Sequence, residues 1–182
     1  MPHFIALFRG VNMAGHKKLA MGDLRALAEG IGFTKVQTLL QSGNLVFSVT
    51  SKSPEALEAL LEHELAKRLK LATTAMVRTA AEWKAVVSGN PFPGEAKRDP
   101  SHLAAIFLKD KPAAKNLAAL KASLTGPEYF ETRGRELYVF FPEGFARSKF
   151  TTALIDRKLE TVGTGRNWNT VMKLAKLLEM QS

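Results

Sequence analysis

The stretch GTGRNWNTVMK (163–173) crowds an arginine, two asparagines and a tryptophan into the run-up to an apolar helical pattern. If Thr164 caps that helix, the next backbone N–H groups have no intrahelical acceptor. Free donors at the positive end of a helix dipole receive anions. Arg166 adds a planar fork of donors that matches phosphate or carboxylate. Asn167 and Asn169 add amides that fix orientation, while Trp168 reads as core. A second cluster is GFARSK (144–149). Gly144 permits close approach, and Arg147, Ser148 and Lys149 read as the first turn of another helix. A third cluster faces Arg9 and Asn12, with Lys17 and Lys18 downstream, towards Gln41, Ser42 and Asn44. The plainer reading of Ser42-Gly43-Asn44 is turn chemistry, and that of the asparagines is local backbone satisfaction.

Signs of catalysis are sparse. His3, His16, His63 and His102 are scattered, and no two have the i, i+4 spacing of a helical metal site. His3 and His102 read as equivalent strand starts. His63 sits among Glu58, Glu62 and Glu64 on a surface helix. His16 is the one loop histidine near the polar clusters, hence the candidate acid or base. Neither a phosphate-loop spacing nor a paired-acid, nucleophile-elbow or zinc-protease pattern is present. No catalytic residue, metal or cofactor is expected.

The elements that must position these residues come in two series. HFIALF (3–8) is an apolar run of strand length; Leu24, Leu27, Ala28 and Ile31 then recur at helical spacing. KVQTLL and NLVFSV flank a tight hairpin at Ser42-Gly43. Ser53-Pro54 opens a helix with a stripe at Leu57, Leu61, Leu65 and Leu69. TTAMVRT is a fourth strand, and Thr79 with Glu82 has capping-box spacing for a helix carrying Trp83. A Pro/Gly-rich linker follows at 91–100, and the order then repeats: HLAAIF echoes HFIALF at an offset of 99, and Thr164–Trp168 echoes Thr79–Trp83.

The prediction is an α+β chain of two tandem ferredoxin-like βαββαβ repeats, residues 1–90 and 101–182, each followed by a helix and packed into one compact unit. Strand directions bring RGVN (9–12) and QSGN (41–44) to one edge of the first repeat. They bring GFARSK and GRNWNT to one edge of the second. A sharper expectation joins both edges in a single cleft holding Arg9, Asn12, Gln41, Asn44, Arg147, Lys149, Arg166 and Asn169. FIALF, LAAIF and LYVFF do not alternate, so both sheet faces are expected to be covered. That argues against an open aromatic sheet for stacking RNA bases.

Lys and Arg total 26 against 17 Asp and Glu, a net charge of +9 spread along the chain. The balance favours anionic partners. The absence of cysteine excludes disulfides and thiolate metal sites. No apolar run reaches the ~18 residues of a membrane span, and the start reads as a strand, not a signal peptide. A cytoplasmic protein with no membrane partner is expected.

RGVNMAGHKKLAMGDLRALAEGIGF, TLLQSGNLVF, VRTAAEW, NPFPG, ELYVFFPEGFARSKF and TGRNWNTVMKL together resemble the bacterial family called domain of unknown function 1697, from about residue 3 to about 178. The resemblance implies a duplicated α+β fold and no established activity, substrate or cofactor. Ala14 and His16 stand where the family's first loop is often richer in glycine. The functional expectation is therefore binding of a phosphate-bearing anion, nucleic acid among the options. The alternatives are a small-molecule enzyme with an anionic substrate, and a basic module that docks an acidic protein.

Overall fold

The computed structural model describes residues 1–15, 17–50 and 52–181, so His16 lies outside the described residues. The first repeat runs β1 (His3–Phe8), α1 (Met21–Gly30), β2 (Thr34–Thr38), β3 (Asn44–Ser48), α2 (Pro54–Leu69), β4 (Ala75–Thr79) and α3 (Ala80–Ser88). The short helix α4 (Pro93–Arg98) follows. The second repeat runs β5 (Leu103–Leu108), α5 (Ala114–Ala122), β6 (Tyr129–Arg133), β7 (Glu136–Phe140), α6 (Thr152–Leu159), β8 (Gly163–Asn167) and α7 (Trp168–Gln181). Each repeat forms one four-stranded antiparallel sheet, in order β2-β3-β1-β4 and β6-β7-β5-β8. This is the split βαββαβ arrangement.

The chain divides into two compact units. Unit one holds Met1–Ala85 and Lys173–Ser182, and unit two holds Val86–Met172. Helices α3 and α7 each contribute residues to both. In unit one, Phe4, Ala6, Phe8, Leu45 and Phe47 pack one sheet face onto Leu24, Leu27, Leu57, Leu61 and Leu65. In unit two, Ala104, Ile106, Leu137 and Val139 do the same with Leu120, Ile155 and Leu159. Each large apolar side chain so buried contributes about 1.5–3 kcal/mol. The opposite faces are buried too: Ile5, Leu7, Val46 and Met76 in unit one, Leu103, Ala105, Phe107 and Tyr138 in unit two. That burial is why the central strands lack alternation.

The outer edge of β4 is closed by glutamates. The N–H groups of Ala75, Val77 and Thr79 donate to Glu62 Oε1 (2.9 Å), Glu58 Oε1 (2.8 Å) and Glu82 Oε2 (2.8 Å). Glu82 N in turn donates to Thr79 Oγ1 at 3.1 Å, completing the expected capping box. Glu58 is therefore buried, while His63 has the exposed position expected of it. Spacing of i, i+4 puts both α2 carboxylates on the helix face that meets β4.

Four expectations change in unit two. The 91–100 segment is not a plain linker: α4 packs there, with Tyr129 OH donating to Glu95 Oε1 (3.0 Å) and the Arg98 guanidinium 5.6 Å from the Phe140 ring centre. GFARSK is a loop, because α6 starts later, at Thr152, where Thr151 Oγ1 accepts from Leu154 N. Thr164 lies inside β8 and does not cap α7. Asn167 does, its Oδ1 accepting from Thr170 N at 3.0 Å. The repeat offset is also one residue longer than the echo suggested. Leu103, not His102, stands where His3 stands, each pairing with the last residue of the neighbouring strand.

Candidate functional site

In unit one the two expected loops do meet. Phe8 N donates to Gly43 O, and Asn12 Nδ2 donates to Gln41 O at 2.7 Å. Gly43 has φ +84°, and a Cβ there would lie 2.5 Å from Val11 Cγ2. Only glycine fits that approach. Asn12 is the fastener of the 9–19 loop: Nδ2 also donates to Leu19 O (2.7 Å), and Oδ1 accepts from Leu19 N (2.8 Å). Asn44 is fully buried, with Nδ2 donating to Leu39 O (2.7 Å) and Ser42 Oγ (3.0 Å). Both carboxamides build the edge. Gln41 and Ser42 are exposed on it. Arg9 is half-buried, anchored through Arg9 N to Thr74 O and Thr73 Oγ1 to Arg9 O.

The loop has an unusual backbone. Gly10, Asn12, Ala14, Gly15 and Lys17 all have positive φ, between +45° and +81°. A left-handed conformation costs a non-glycine residue about 1–2 kcal/mol, so Ala14 and Lys17 are held by the loop. Alternation of φ sign along such a loop turns successive N–H groups to one side, the basis of anion-binding nests. The loop feeds α1, whose N-cap Ala20 offers no side-chain acceptor. Among the described residues nothing accepts from the N–H groups of Met21, Gly22 or Asp23. Lys17 and Lys18 are exposed, and no acidic side chain among the described residues pairs with either. Asp23, the acidic residue of that first turn, is exposed.

In unit two the polar residues separate into roles. Arg166 is buried on the sheet face it shares with Ala105; Nη1 donates to Thr164 Oγ1 (2.7 Å) and Gly165 O (2.8 Å). Burial pulls its guanidinium down to about 10. Its counterpart, missed in the sequence, is Arg78. Ile5 pairs with Arg78 as Ala105 pairs with Arg166, and Arg78 Nη1 likewise donates to the carbonyl before it, at 3.0 Å. Period-two alternation in AMVRT, with Val77 in the core, was the available signal. Asn167 caps α7, while Asn169 is exposed. Arg147 and Lys149 are exposed, and Ser148 Oγ donates to Glu128 Oε1 at 2.5 Å.

An oriented imidazole also lies in unit two. His102 Nδ1 contacts Asp99 Oδ2 at 2.8 Å, and Ser101 Oγ donates to Asp99 Oδ1 at 3.1 Å. Gly144 leaves its space to His102 Nε2, from which a Cβ would stand only 3.3 Å. Phe145 meets the ring edge-on. Among the described residues no three His, Asp or Glu side chains are placed to hold a metal ion, and no helix is long and apolar enough to cross a membrane.

The sequence matches, over residues 1–138, the profile of a family described as Protein of unknown function (DUF1697). No curated protein matches it. The structure of conserved bacterial protein SP0830 from Streptococcus pneumoniae superposes with a TM-score of 0.76 at 21% identity, over 97% of this chain and 98% of that one. At that identity the likeness shows the fold alone.

Proposed function

The chain belongs to the DUF1697 family of proteins of unknown function, and on that premise we propose that it binds a phosphate-bearing anion at the edge of unit one where β1 leads into α1. One observation carries this reading: α1 opens with three N–H groups that meet no acceptor among the described residues, and exposed Lys17 and Lys18 precede them. Arg9 supplies a third positive charge to the same loop. Arg166 and Asn167 are left out of the reading, because one is buried and the other caps a helix.

The test is an amide NMR titration with inorganic phosphate, a mononucleotide and a short single-stranded oligonucleotide. Saturable shifts at residues 20–23, lost in Lys17→Ala/Lys18→Ala, are expected. Nucleic acid held by three cations would show a log K against log salt slope of about −2. Absence of shifts in that turn with all three probes overturns the reading.

A second reading, an enzyme acting on an anionic substrate, is favoured by the His102–Asp99 pair. Asp99 fixes the ring so that Nε2 is the nitrogen left to exchange a proton. If His102→Gln leaves every activity found for the protein unchanged, that reading fails.

A further inference from the structure

Unit two carries a cleft that neither reading uses. Its volume is about 110 Å³, and it lies between the end of α5, the chain entering β6 and the start of α6. Leu124, Phe150 and Leu154 give it an apolar floor, and Glu128 and Lys149 bring one charge of each sign to its wall.

The two charges are held differently. Glu128 is held through one oxygen: Oε1 accepts from Ser148 Oγ, while Oε2 lies beside Gly126, where a Cβ would sit 2.3 Å away. Any side chain at 126 would displace that carboxylate. Ser148 is fixed in turn, since its Oγ accepts from Phe150 N at 3.0 Å. Lys149 sits between these two residues, is exposed, and pairs with no acid among the described residues. Glu128 is not within ion-pair distance of it, so the cleft separates an anchored anion from an available cation.

That pattern selects among guests. An inorganic anion is repelled by Glu128, and a metal ion by Lys149. A wholly apolar guest would strip water from both charges with no partner in exchange. We propose that the cleft binds a small zwitterion, a free α-amino acid with a short apolar side chain. Its ammonium pairs with Glu128, its carboxylate with Lys149, and its side chain rests on Leu124, Phe150 and Leu154. At about 110 Å³ the cleft admits only a small guest.

The experiment titrates the full chain with L-valine, isobutylamine and isovalerate, followed by amide NMR and calorimetry. L-valine should give saturable shifts at residues 123–126 and 149–150, and the two single-charge analogues should bind at least tenfold more weakly. Lys149→Met, a change at an exposed side chain, should weaken L-valine at least tenfold with the fold intact. Glu128→Gln should do the same. No saturable binding of L-valine overturns the proposal, as does equal binding by either analogue or an unchanged affinity in Lys149→Met. Inorganic phosphate, included as a control, should move residues 20–23 and leave this cleft still, so each site stands or falls alone.

Discussion

Replacing Asn12 by alanine should unfasten the loop that carries the anion reading. The carboxamide makes three hydrogen bonds, at 2.7, 2.7 and 2.8 Å, and joins residues 12, 19 and 41. At about 1 kcal/mol net for each, they contribute about 3 kcal/mol. Alanine adds about 1 kcal/mol of strain at φ +55°. Water reaching this half-buried site recovers part of the loss, so the expected cost is about 3 kcal/mol, a fall in Tm of about 6–12 °C for a chain of this length. Thermal melts measure the total, and hydrogen exchange at the Leu19 amide reports the loop itself. Asn12→Asp is the discriminating variant: it tolerates the backbone and keeps the bond from Leu19 N, but it turns a carboxylate onto two carbonyl oxygens. It should cost as much as alanine at neutral pH and recover on acidification, when the carboxyl regains a donor proton. If Asn12→Ala stays within 0.5 kcal/mol of the parent with Leu19 still protected, the fastener account is wrong.

Gly43→Ala should cost at least about 2 kcal/mol, from left-handed strain and the clash with Val11. Adding Val11→Ala should return about 1 kcal/mol, read from a double-mutant cycle in urea. Glu58→Ala with Glu62→Ala strips the acceptors from two β4 N–H groups, and size-exclusion chromatography should show self-association through the opened edge. Tyr138 OH donates to Val86 O at 2.7 Å, and burial pushes the phenol up to about 12. A phenol raised above its unfolded value of about 10 contributes stability below pH 10 and loses it as pH climbs towards 12. Tyr138→Phe should therefore be less stable than the parent at pH 7, by about 1 kcal/mol. A rise from about 10 to about 12 corresponds to about 2.7 kcal/mol, so the gap should close and then reverse over that alkaline window in urea titrations.

The fold was legible wherever local chemistry and tertiary packing agree. Thr79 and Glu82 sit three apart at a strand-to-helix switch and form the box their spacing demands. Ser42-Gly43 closes its hairpin because nothing larger fits against Val11. Legibility failed where a helix start had competing caps. Thr164 and Asn167 are both good caps, and pairing with β5 extends the strand past the first to the second. That shift turns Arg166 from a helix-end donor into an inward strand residue. Arg78 stayed hidden because a buried cation in an apolar strand breaks the expectation that charge marks surface. The contact of Glu128 with Ser148, twenty residues on, left no local signal.

The last turn of α7 has a consequence for how the molecule is made. Lys35 Nζ donates to Gln181 O at 2.7 Å, and Gln181 Nε2 returns a bond to Lys35 O at 2.9 Å, both within unit one. During translation, residues 86–172 emerge in full before the partner of Lys35 exists. The half of the protein that is synthesised first is therefore the half completed last. A stalled ribosome would leave β2 without its clasp while unit two is already whole.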